Sequence, residues 1–178
     1  FVDKVDPQSG TSLEIGSSGD TITVPNGALS GQNYPAFEAY LSSNQTFANN
    51  TFVKVELDLE SFDTDSTYDN STNYRFTPAV AGKYHVYSML QLSPQAQTNW
   101  SYGNIAIYKN GSAFKTTIFD ARGNFVYRPY LSIFSTMVLD NDDYVEIYVR
   151  VASVNSGDIL VETSGNATNV FGAYRIGT

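Results

Sequence analysis

The sequence predicts an all-β protein, an antiparallel jelly-roll β-sandwich, over most of its 178 residues. Apolar and polar residues alternate with a period of two in one segment after another, and no window of about 11 residues keeps an apolar helical face. Turn-forming residues separate these segments. About eight to ten short strands joined by turns are typical of a sandwich or jelly roll, and the length fits one domain of roughly 100–200 residues.

Two segments are the clearest strands. Over 52–60, Val and Leu alternate with Lys, Asp and Glu, and the same alternation recurs over 144–151. Both patterns predict half-buried strands of an antiparallel sheet, with one face in the core and one in water. The other predicted strands, rich in β-branched and aromatic residues, are 36–42, 73–77, 83–92, 103–109, 113–119, 126–139, 158–162 and 168–176.

Turn residues stand between these strands. The strongest signal is Asn110-Gly111, because a type I′ hairpin turn needs positive φ at both central residues. Gly, Pro, Asn and Asp also cluster at 78–82, 121–124, 141–143 and 156–157, and each cluster predicts a turn.

The first 33 residues have a different pattern. Two short alternating pieces, around Leu13 and around Ile22, flank the Gly- and Ser-rich segment 16–19. So few apolar side chains cannot form a core alone, because an isolated pair of strands is marginal in water. We expect 1–33 to be an attachment segment that packs on copies of itself as a short β stalk, the alternative being a flexible tail. The predicted division is therefore 1–33 and 34–178.

Composition excludes several classes of protein. There is no Cys, one His, and a net charge of −8, with 10 Lys+Arg against 18 Asp+Glu. Disulfides, Cys-ligated metals and a Cys nucleophile are therefore excluded. An acidic chain is not expected to bind nucleic acid, and no apolar run is long enough to insert in a membrane. We expect no cofactor.

From Pro35 onward an ordered set of motifs resembles the globular C1q-like domain, the trimeric jelly roll related to tumour necrosis factor. The matching segments are PAFEA at 35–39, YDNSTNYRFTP at 68–78 followed by GKY at 82–84, YKNG at 108–111, LDNDDYV at 139–145 and FGAY at 171–174. The resemblance covers 34–178. It departs from the family at Asp142, where the family has Gly, and the chain has no collagen-like repeat.

Two further segments resemble structural proteins of tailed phages, especially marine cyanophages. They are SGDTITVPNGA, which ends at Ala28, and FDTDSTYDNSTNYRFTPAVAGKY at 62–84. These resemblances together imply a homotrimeric fibre or decoration protein on the virion, joined through 1–33 to other virion proteins. The alternative is a secreted bacterial or animal C1q-like recognition module.

A trimer needs an interface, and outward-facing apolar residues are the candidates. The polar-facing side of strand 83–92 carries His85, Tyr87 and Met89, and Tyr148 stands between Glu146 and Arg150. We expect these four residues to lie between subunits. His85 is the one His available for catalysis, yet no nucleophile or zinc motif accompanies it, so a structural role is the interpretation.

Two aromatic loops are the candidates for binding a host-surface glycan. Trp100 and Tyr102 form one, and Tyr127 with Arg128 forms the other. Aromatic faces stack on sugars, and Arg supplies several hydrogen-bond donors. The alternative for Trp100 is that it packs under its own hairpin.

The acidic residues Asp63, Asp65 and Asp69 are weak candidates for calcium, but they lack the spacing of a calcium loop, and we predict no metal. A polysaccharide-cleaving enzyme needs only two carboxylates, which sequence cannot exclude. The protein is nevertheless expected not to be an enzyme.

Overall fold

A computed structural model describes residues 16–21, 35–94, 100–121, 126, 128–153, 159–165 and 168–177. The chain divides into two units, Phe1–Asn33 and Tyr34–Thr178. The predicted stalk strands around Leu13 and Ile22 lie outside the described residues. In the first unit, the described residues 16–21 form a turn in which the Asp20 carboxylate accepts a hydrogen bond from the Ser17 N–H.

The described part of the second unit contains strands and no helix. Its strands are β1 (Ala36–Tyr40), β2 (Gln45–Phe47), β3 (Val53–Lys54), β4 (Leu59–Asp63), β5 (Tyr68–Asp69), β6 (Arg75–Phe76), β7 (Gly82–Pro94), β8 (Trp100–Lys109), β9 (Ser112–Asp120), β10 (Tyr130–Leu139), β11 (Val145–Ser153), β12 (Ile159–Glu162) and β13 (Asn169–Gly177).

The strands form two antiparallel sheets. In the first sheet, β7 pairs with β10 on one side and with β13 and β12 on the other, and β1, β4 and β2 continue it. In the second sheet, β8 lies between β9 and β11, and β11 also pairs with β3 and β6. This arrangement confirms the predicted antiparallel jelly-roll sandwich.

The core lies between the two sheets, and Phe37 of β1 is at its aromatic centre. Its ring stacks on Tyr68 and on Phe76, each with ring centroids 4.7 Å apart, and it meets the edge of Phe171 at 4.9 Å. The Tyr68 hydroxyl donates to the Leu57 carbonyl at 2.9 Å. Burial, followed by nearby carboxylates, raises the pKa of Tyr68 well above its usual range, so the ring stays neutral. Four of the motif residues therefore hold the sheets together.

The predicted Asn-Gly hairpin is confirmed between β8 and β9. Asn110 and Gly111 have φ of 52° and 74°, as a type I′ turn requires. The Asp143 carboxylate accepts hydrogen bonds from the Asn110 side chain at 2.6 Å and from the Asp140 N–H at 2.8 Å. It also pairs with Lys109 at 2.7 Å. Burial opposes ionisation of Asp143, but these donors outweigh it and lower its pKa to about 2.

The single strand predicted over 52–60 is wrong. The chain pairs with the second sheet as β3, crosses the core through buried Val55 and Leu57, and joins the first sheet as β4. Leu59, predicted to face inward, is 40% exposed after this crossing. An alternating pattern does not reveal a crossing, because the residues between the sheets are buried like strand residues.

Candidate functional site

The outward side of the first sheet carries a cluster of aromatic rings, which we call the aromatic face: His85 and Tyr87 of β7, Phe134 of β10 and Tyr174 of β13. The His85 ring lies 5.3 Å from Tyr174 and 6.2 Å from Phe134, measured between centroids. Phe134 is 67% exposed and Tyr174 44%. Contiguous apolar area of this kind usually marks an interaction site.

Strand alternation puts these rings together. The register aligns His85 with Tyr174 on one side and with Thr136 on the other, so side chains of the three strands share one face. Met89 follows two residues after Tyr87 and lies half-buried on the same face. Three of the four predicted interface residues, His85, Tyr87 and Met89, are therefore neighbours on one surface.

Gly172 makes room for the Tyr87 ring. It lies between Glu38 of β1 and Tyr87 of β7 in the register, and a Cβ atom at Gly172 would overlap the Tyr87 ring. The Tyr87 hydroxyl therefore crosses β13 and donates to the Glu38 carboxylate at 2.9 Å. Burial, followed by this hydrogen bond, raises the pKa of Tyr87 above its usual range. The Phe-Gly motif of β13 thus shapes the aromatic face.

A second exposed apolar surface lies at one edge of the sandwich, where β9 and β10 contact each other. In the part of the chain that the structure describes, β9 pairs with β8 alone. Its residues Lys115 and Thr117 lie opposite buried Ile107 and Ile105, yet both are exposed, so the strand extends beyond the core. Ile118 on its other face is 66% exposed. We call this surface the overhanging edge.

Tyr148, the fourth predicted interface residue, lies elsewhere. It belongs to β11, and its ring stacks on Tyr108 of β8 at 4.0 Å on the outward side of the second sheet. Burial, followed by the charge of Glu146, raises the pKa of its hydroxyl. Tyr148 and His85 therefore lie on different surfaces, because β7 and β11 belong to different sheets, and a role for Tyr148 between subunits stays a prediction.

Trp100 is buried, which is one of the two positions that the sequence left open for it. It begins strand β8 instead of standing in an exposed loop, and it is 1% exposed within the core. A ring covered in this way cannot stack on a sugar in this conformation. Its burial agrees with the alternative interpretation, in which Trp100 packs inside the protein, where a large apolar ring is stabilised.

The other predicted glycan-binding residues are separated from each other. The Tyr102 hydroxyl donates to the Asn50 side-chain oxygen at 2.6 Å on the second sheet. Arg128 lies just before β10 of the first sheet and pairs with Glu162 at 3.0 Å. Tyr127 lies outside the described residues.

Two of the three weak calcium candidates, Asp63 and Asp69, have hydrogen-bonded carboxylates, whereas the buried Oδ2 of Asp65 has no partner among the described residues. The Asp63 carboxylate accepts from the N–H groups of Asp65, Thr67 and Tyr68, at 2.6–3.2 Å. The Asp69 carboxylate accepts from the Thr72 N–H first and then from the Asn73 side chain, and these donors lower its pKa well below the usual range. The carboxylates shape turns, and across the described residues no group of three or more His, Asp or Glu could hold a metal.

A polar cleft of about 210 Å³ opens beside β2. Seven residues line it: Leu41, Ser43, Asn44, Gln45, Glu56, Asp58 and Tyr74. It contains two carboxylates, and that of Asp58 is already hydrogen-bonded by the Ser42 N–H at 2.7 Å.

Within the described ranges, no helix is long and apolar enough to cross a membrane.

Sequence reasoning missed Phe134 and Tyr174, the two most exposed rings of the aromatic face. A signal was available in β10, where buried Leu131 and Ile133 alternate with outward residues and so place Phe134 outside. Only the sheet order shows that this residue stands beside His85, which is 49 positions earlier in the chain (134 minus 85).

No family model matches the sequence, and no curated protein matches it. Solved structures do match in shape. Eiger TNF from S. frugiperda matches with a TM-score of 0.58 at 10% identity, over 80% of this chain and 91% of that one. Murine APRIL matches with a TM-score of 0.59 at 8% identity, over 81% and 100%.

The globular domain of zebrafish complement 1qA protein matches with a TM-score of 0.54 at 15% identity, over 80% of this chain and 97% of that one. At such low identities the likeness concerns the fold alone. The chain therefore has the fold of TNF-like and C1q globular domains, which confirms the fold that the motifs from Pro35 onward implied.

Proposed function

We propose that the chain is a non-enzymatic virion protein of a tailed phage, a homotrimeric fibre or decoration protein on the particle surface whose jelly-roll tip adheres to a host-surface glycan. The observation that carries the trimer is the aromatic face, with Phe134 and Tyr174 exposed beside His85. The phage origin is supported by the segments that resemble phage structural proteins, and residues 1–33 would join other virion proteins.

Two different apolar surfaces favour a ring over a two-fold dimer. A two-fold contact uses the same patch on both copies, whereas a contact between two different patches repeats around a ring. In our proposal the overhanging edge of one copy packs on the aromatic face of the next. The number three comes from the resemblance to the C1q-like domain.

The adhesive surface in this proposal lies on the second sheet. Tyr102 pairs with Ala152 close to Trp100, the first residue of β8. This end of the sandwich is opposite the end where β1 begins, beside Gly82 and Tyr174. The outward side of this sheet faces away from the aromatic face. In the proposed trimer the part of this side that carries Tyr102 stays in solvent, where a rigid scaffold presents it to a large ligand, whereas Ile118 at the β9 end of the same side belongs to the overhanging edge.

Light scattering of the full 178-residue chain tests the assembly. One chain has a mass of 19.6 kDa, so a trimer has three times that, about 59 kDa. We expect the trimer mass at micromolar concentration without added cofactor. A folded species of single-chain mass would overturn the trimer, because the aromatic face would then be stable in water.

Three measurements test the remaining parts of the proposal. Labelled protein should adsorb to host cells and be displaced by the host's purified envelope polysaccharide. Antibodies against the chain should decorate purified phage particles, and unlabelled particles would overturn the virion assignment.

Reducing ends that accumulate during incubation with the polysaccharide, and that disappear in Glu56→Gln, would overturn the non-enzymatic assignment and point to the cleft beside β2.

A further inference from the structure

We infer that the outward side of the second sheet holds a binding site for a single carboxylate-bearing sugar residue, such as a uronic acid, with Arg150 as the group that recognises the acid. This inference rests on the proposed glycan adhesion and names its ligand class. The site consists of Arg150 and five neighbouring residues, which we call the tyrosine–arginine platform: Asn50, Phe52, Tyr102, Tyr108 and Tyr148.

Arg150 is held in place by neutral groups. Its Nε and Nη2 donate to the Asn50 side-chain oxygen at 2.9 and 2.7 Å, and Nη2 also donates to the Tyr102 hydroxyl at 2.6 Å. The rings of Phe52 and Tyr102 lie 5.6 and 5.3 Å from the guanidinium carbon. A guanidinium has five N–H donors, so this arrangement leaves the two donors of Nη1 for a ligand.

The charge of Arg150 is not offset by a carboxylate. Among the described residues no Asp or Glu oxygen lies within 4 Å of it, although the chain has a net charge of −8. By contrast, the neighbouring Lys54 pairs with Glu146 at 2.8 Å. An acidic protein that keeps a positioned cation without a counter-ion has a local preference for an anion, and charge-assisted hydrogen bonds are the strong ones.

Asn104 adds an independent observation. It lies directly opposite Arg150 on β8, it is 6% exposed, and its side-chain oxygen has no hydrogen-bond donor. An unsatisfied buried acceptor destabilises the folded chain, and such local costs concentrate at functional sites. The oxygen itself is covered, so a sugar hydroxyl would reach it only after the Asn104 side chain turns outward.

Aromatic rings beside Arg150 suit the rest of a sugar. Tyr148 and Tyr108 stack on each other at 4.0 Å, and Phe52 lies 6.2 Å from Tyr108, so the rings form one continuous surface. Sugar C–H groups pack on such faces while tyrosine hydroxyls bind sugar hydroxyls. The overall charge of −8 opposes densely charged polyanions, so a lone acidic residue in a mostly neutral glycan fits this site better.

Methyl β-glucuronoside and methyl β-glucoside are the matched probes, because they differ only in a carboxylate against a hydroxymethyl group. Titration of the full chain with each, followed by NMR, should show at least ~10-fold tighter binding of the glucuronoside. Arg150→Gln should abolish this preference, and Arg150→Lys should keep part of it. Arg75→Gln is the control, because Arg75 also lies over a ring, that of Tyr144 at 4.4 Å, but stands opposite Asp69 in the sheet.

The outcomes separate this inference from the adhesion proposal. Equal affinity for the two glycosides, no binding of either, or a preference that survives in Arg150→Gln at an unchanged melting temperature would each overturn the acidic-sugar site. Adsorption to host cells is measured separately. If cells bind wild type and Arg150→Gln equally, adhesion stands and the acidic-sugar site is overturned. If the chain binds the glucuronoside but does not adsorb to cells, adhesion is overturned and the site is supported.

Discussion

The outward sides of the two sheets carry similar numbers of aromatic rings, but the rings differ in their exposure and in their partners. On the first sheet, Phe134 and Tyr174 are exposed, and within the described ranges Tyr87 is the one ring of the aromatic face whose polar tip has a side-chain partner, Glu38. On the second sheet, Tyr108 and Tyr148 cover each other, and the Tyr102 hydroxyl both donates and accepts a hydrogen bond. In one copy of the chain, the first surface leaves apolar rings exposed to water, whereas the rings of the second surface cover or hydrogen-bond their neighbours.

This difference teaches how one sandwich can support assembly and recognition at once. Exposed apolar area without polar partners gains most from burial against another protein. A surface whose tyrosine and arginine groups already hold one another, with one uncompensated charge and the unsatisfied oxygen of Asn104, instead suits a small polar ligand, because little order has to be created on binding. The predictions below test this contrast, from the largest expected effect to the smallest.

Trp100→Ala tests whether the core beneath the second surface can be separated from binding. The lost ring leaves a cavity, so we expect the free energy of unfolding to fall by about 3–5 kcal/mol. Adsorption per folded trimer should stay unchanged, because the ring is buried. Calorimetry and cell adsorption on the same purified variant check this, and a loss of adsorption at intact stability would return Trp100 to the binding surface.

Phe134→Glu tests the first surface. A charge placed among His85, Tyr87 and Tyr174 should weaken assembly by about 2–4 kcal/mol, the range of an interface hot spot. Light scattering should then show single chains at concentrations where we expect wild type to be trimeric. Ala79→Glu adds the same charge in an exposed loop and serves as the control. A variant that assembles like wild type would end the contrast between the surfaces.

Gly172→Ala sharpens the role of the aromatic face. The added methyl group must displace the Tyr87 ring and break its hydrogen bond to Glu38, which should cost about 1–3 kcal/mol. Since the displaced ring lies on the proposed interface, assembly and stability should fall together. Gly165→Ala is a useful comparison. Its φ of 71° is unfavourable for Ala, but no atom lies within 4 Å of the added methyl group. A smaller effect at Gly172 than at Gly165 would contradict this account.

Asp143→Asn tests the turn that supports the second sheet. The carboxyl has a folded pKa of about 2 against an ordinary value of 3.8. A depressed folded pKa contributes stability above the unfolded value, and this contribution is lost as the pH falls through the folded value. We expect wild type to exceed the variant by about 1–2 kcal/mol at pH 7, with the gap closing between about pH 4 and pH 2.

Chemical denaturation across this pH range measures the gap. Asp142→Asn, a change at the exposed neighbouring position, is the control and should show a much smaller gap. A gap that does not depend on pH would mean that the Asp143 carboxylate is not what stabilises the hairpin.

Tyr102→Phe should have the smallest effect. It removes only the hydroxyl that joins Asn50 and Arg150, so we expect a loss of about 0.5–1.5 kcal/mol in stability. Preference for the glucuronoside should fall by a modest factor, because Arg150 keeps its bonds to Asn50. An unchanged assembly state would mark the surface as separate from the trimer contact, whereas dissociation would contradict the contrast between the two sheets.

Several elements of the fold could be predicted from sequence because their causes are local. The Asn110-Gly111 turn depends on two residues that accept positive φ, and the inward rows of β7, β10 and β11 depend on simple alternation. The crossing at 55–58 could not be predicted in this way, and the sequence left two positions open for Trp100, an exposed loop or a packed site under its hairpin. The crossing and the position of Trp100 both depend on which sheet or hairpin lies opposite, and that information is spread over distant parts of the chain.

Of the candidate sites, the sequence indicated single residues but not their grouping. His85 and Tyr87 stood out as apolar residues at outward positions and Tyr102 as part of an aromatic loop, whereas Asn50 and Arg150 gave no signal. Asn50 and Arg150 are 100 positions apart and meet only because the segment leading into β3 lies beside β11.

The sequence by itself determined the class of the fold, because alternation, turn residues and the ordered motifs are properties of short segments. The tertiary structure alone decided which outward rings lie on the same surface. Tyr87 and Tyr148 both lie in alternating strand sequences. Because β7 pairs with β10 and β13, Tyr87 lies beside exposed rings. Because β11 pairs with β8, Tyr148 has a stacking partner. Strand order is set by contacts between distant residues, which no single segment contains.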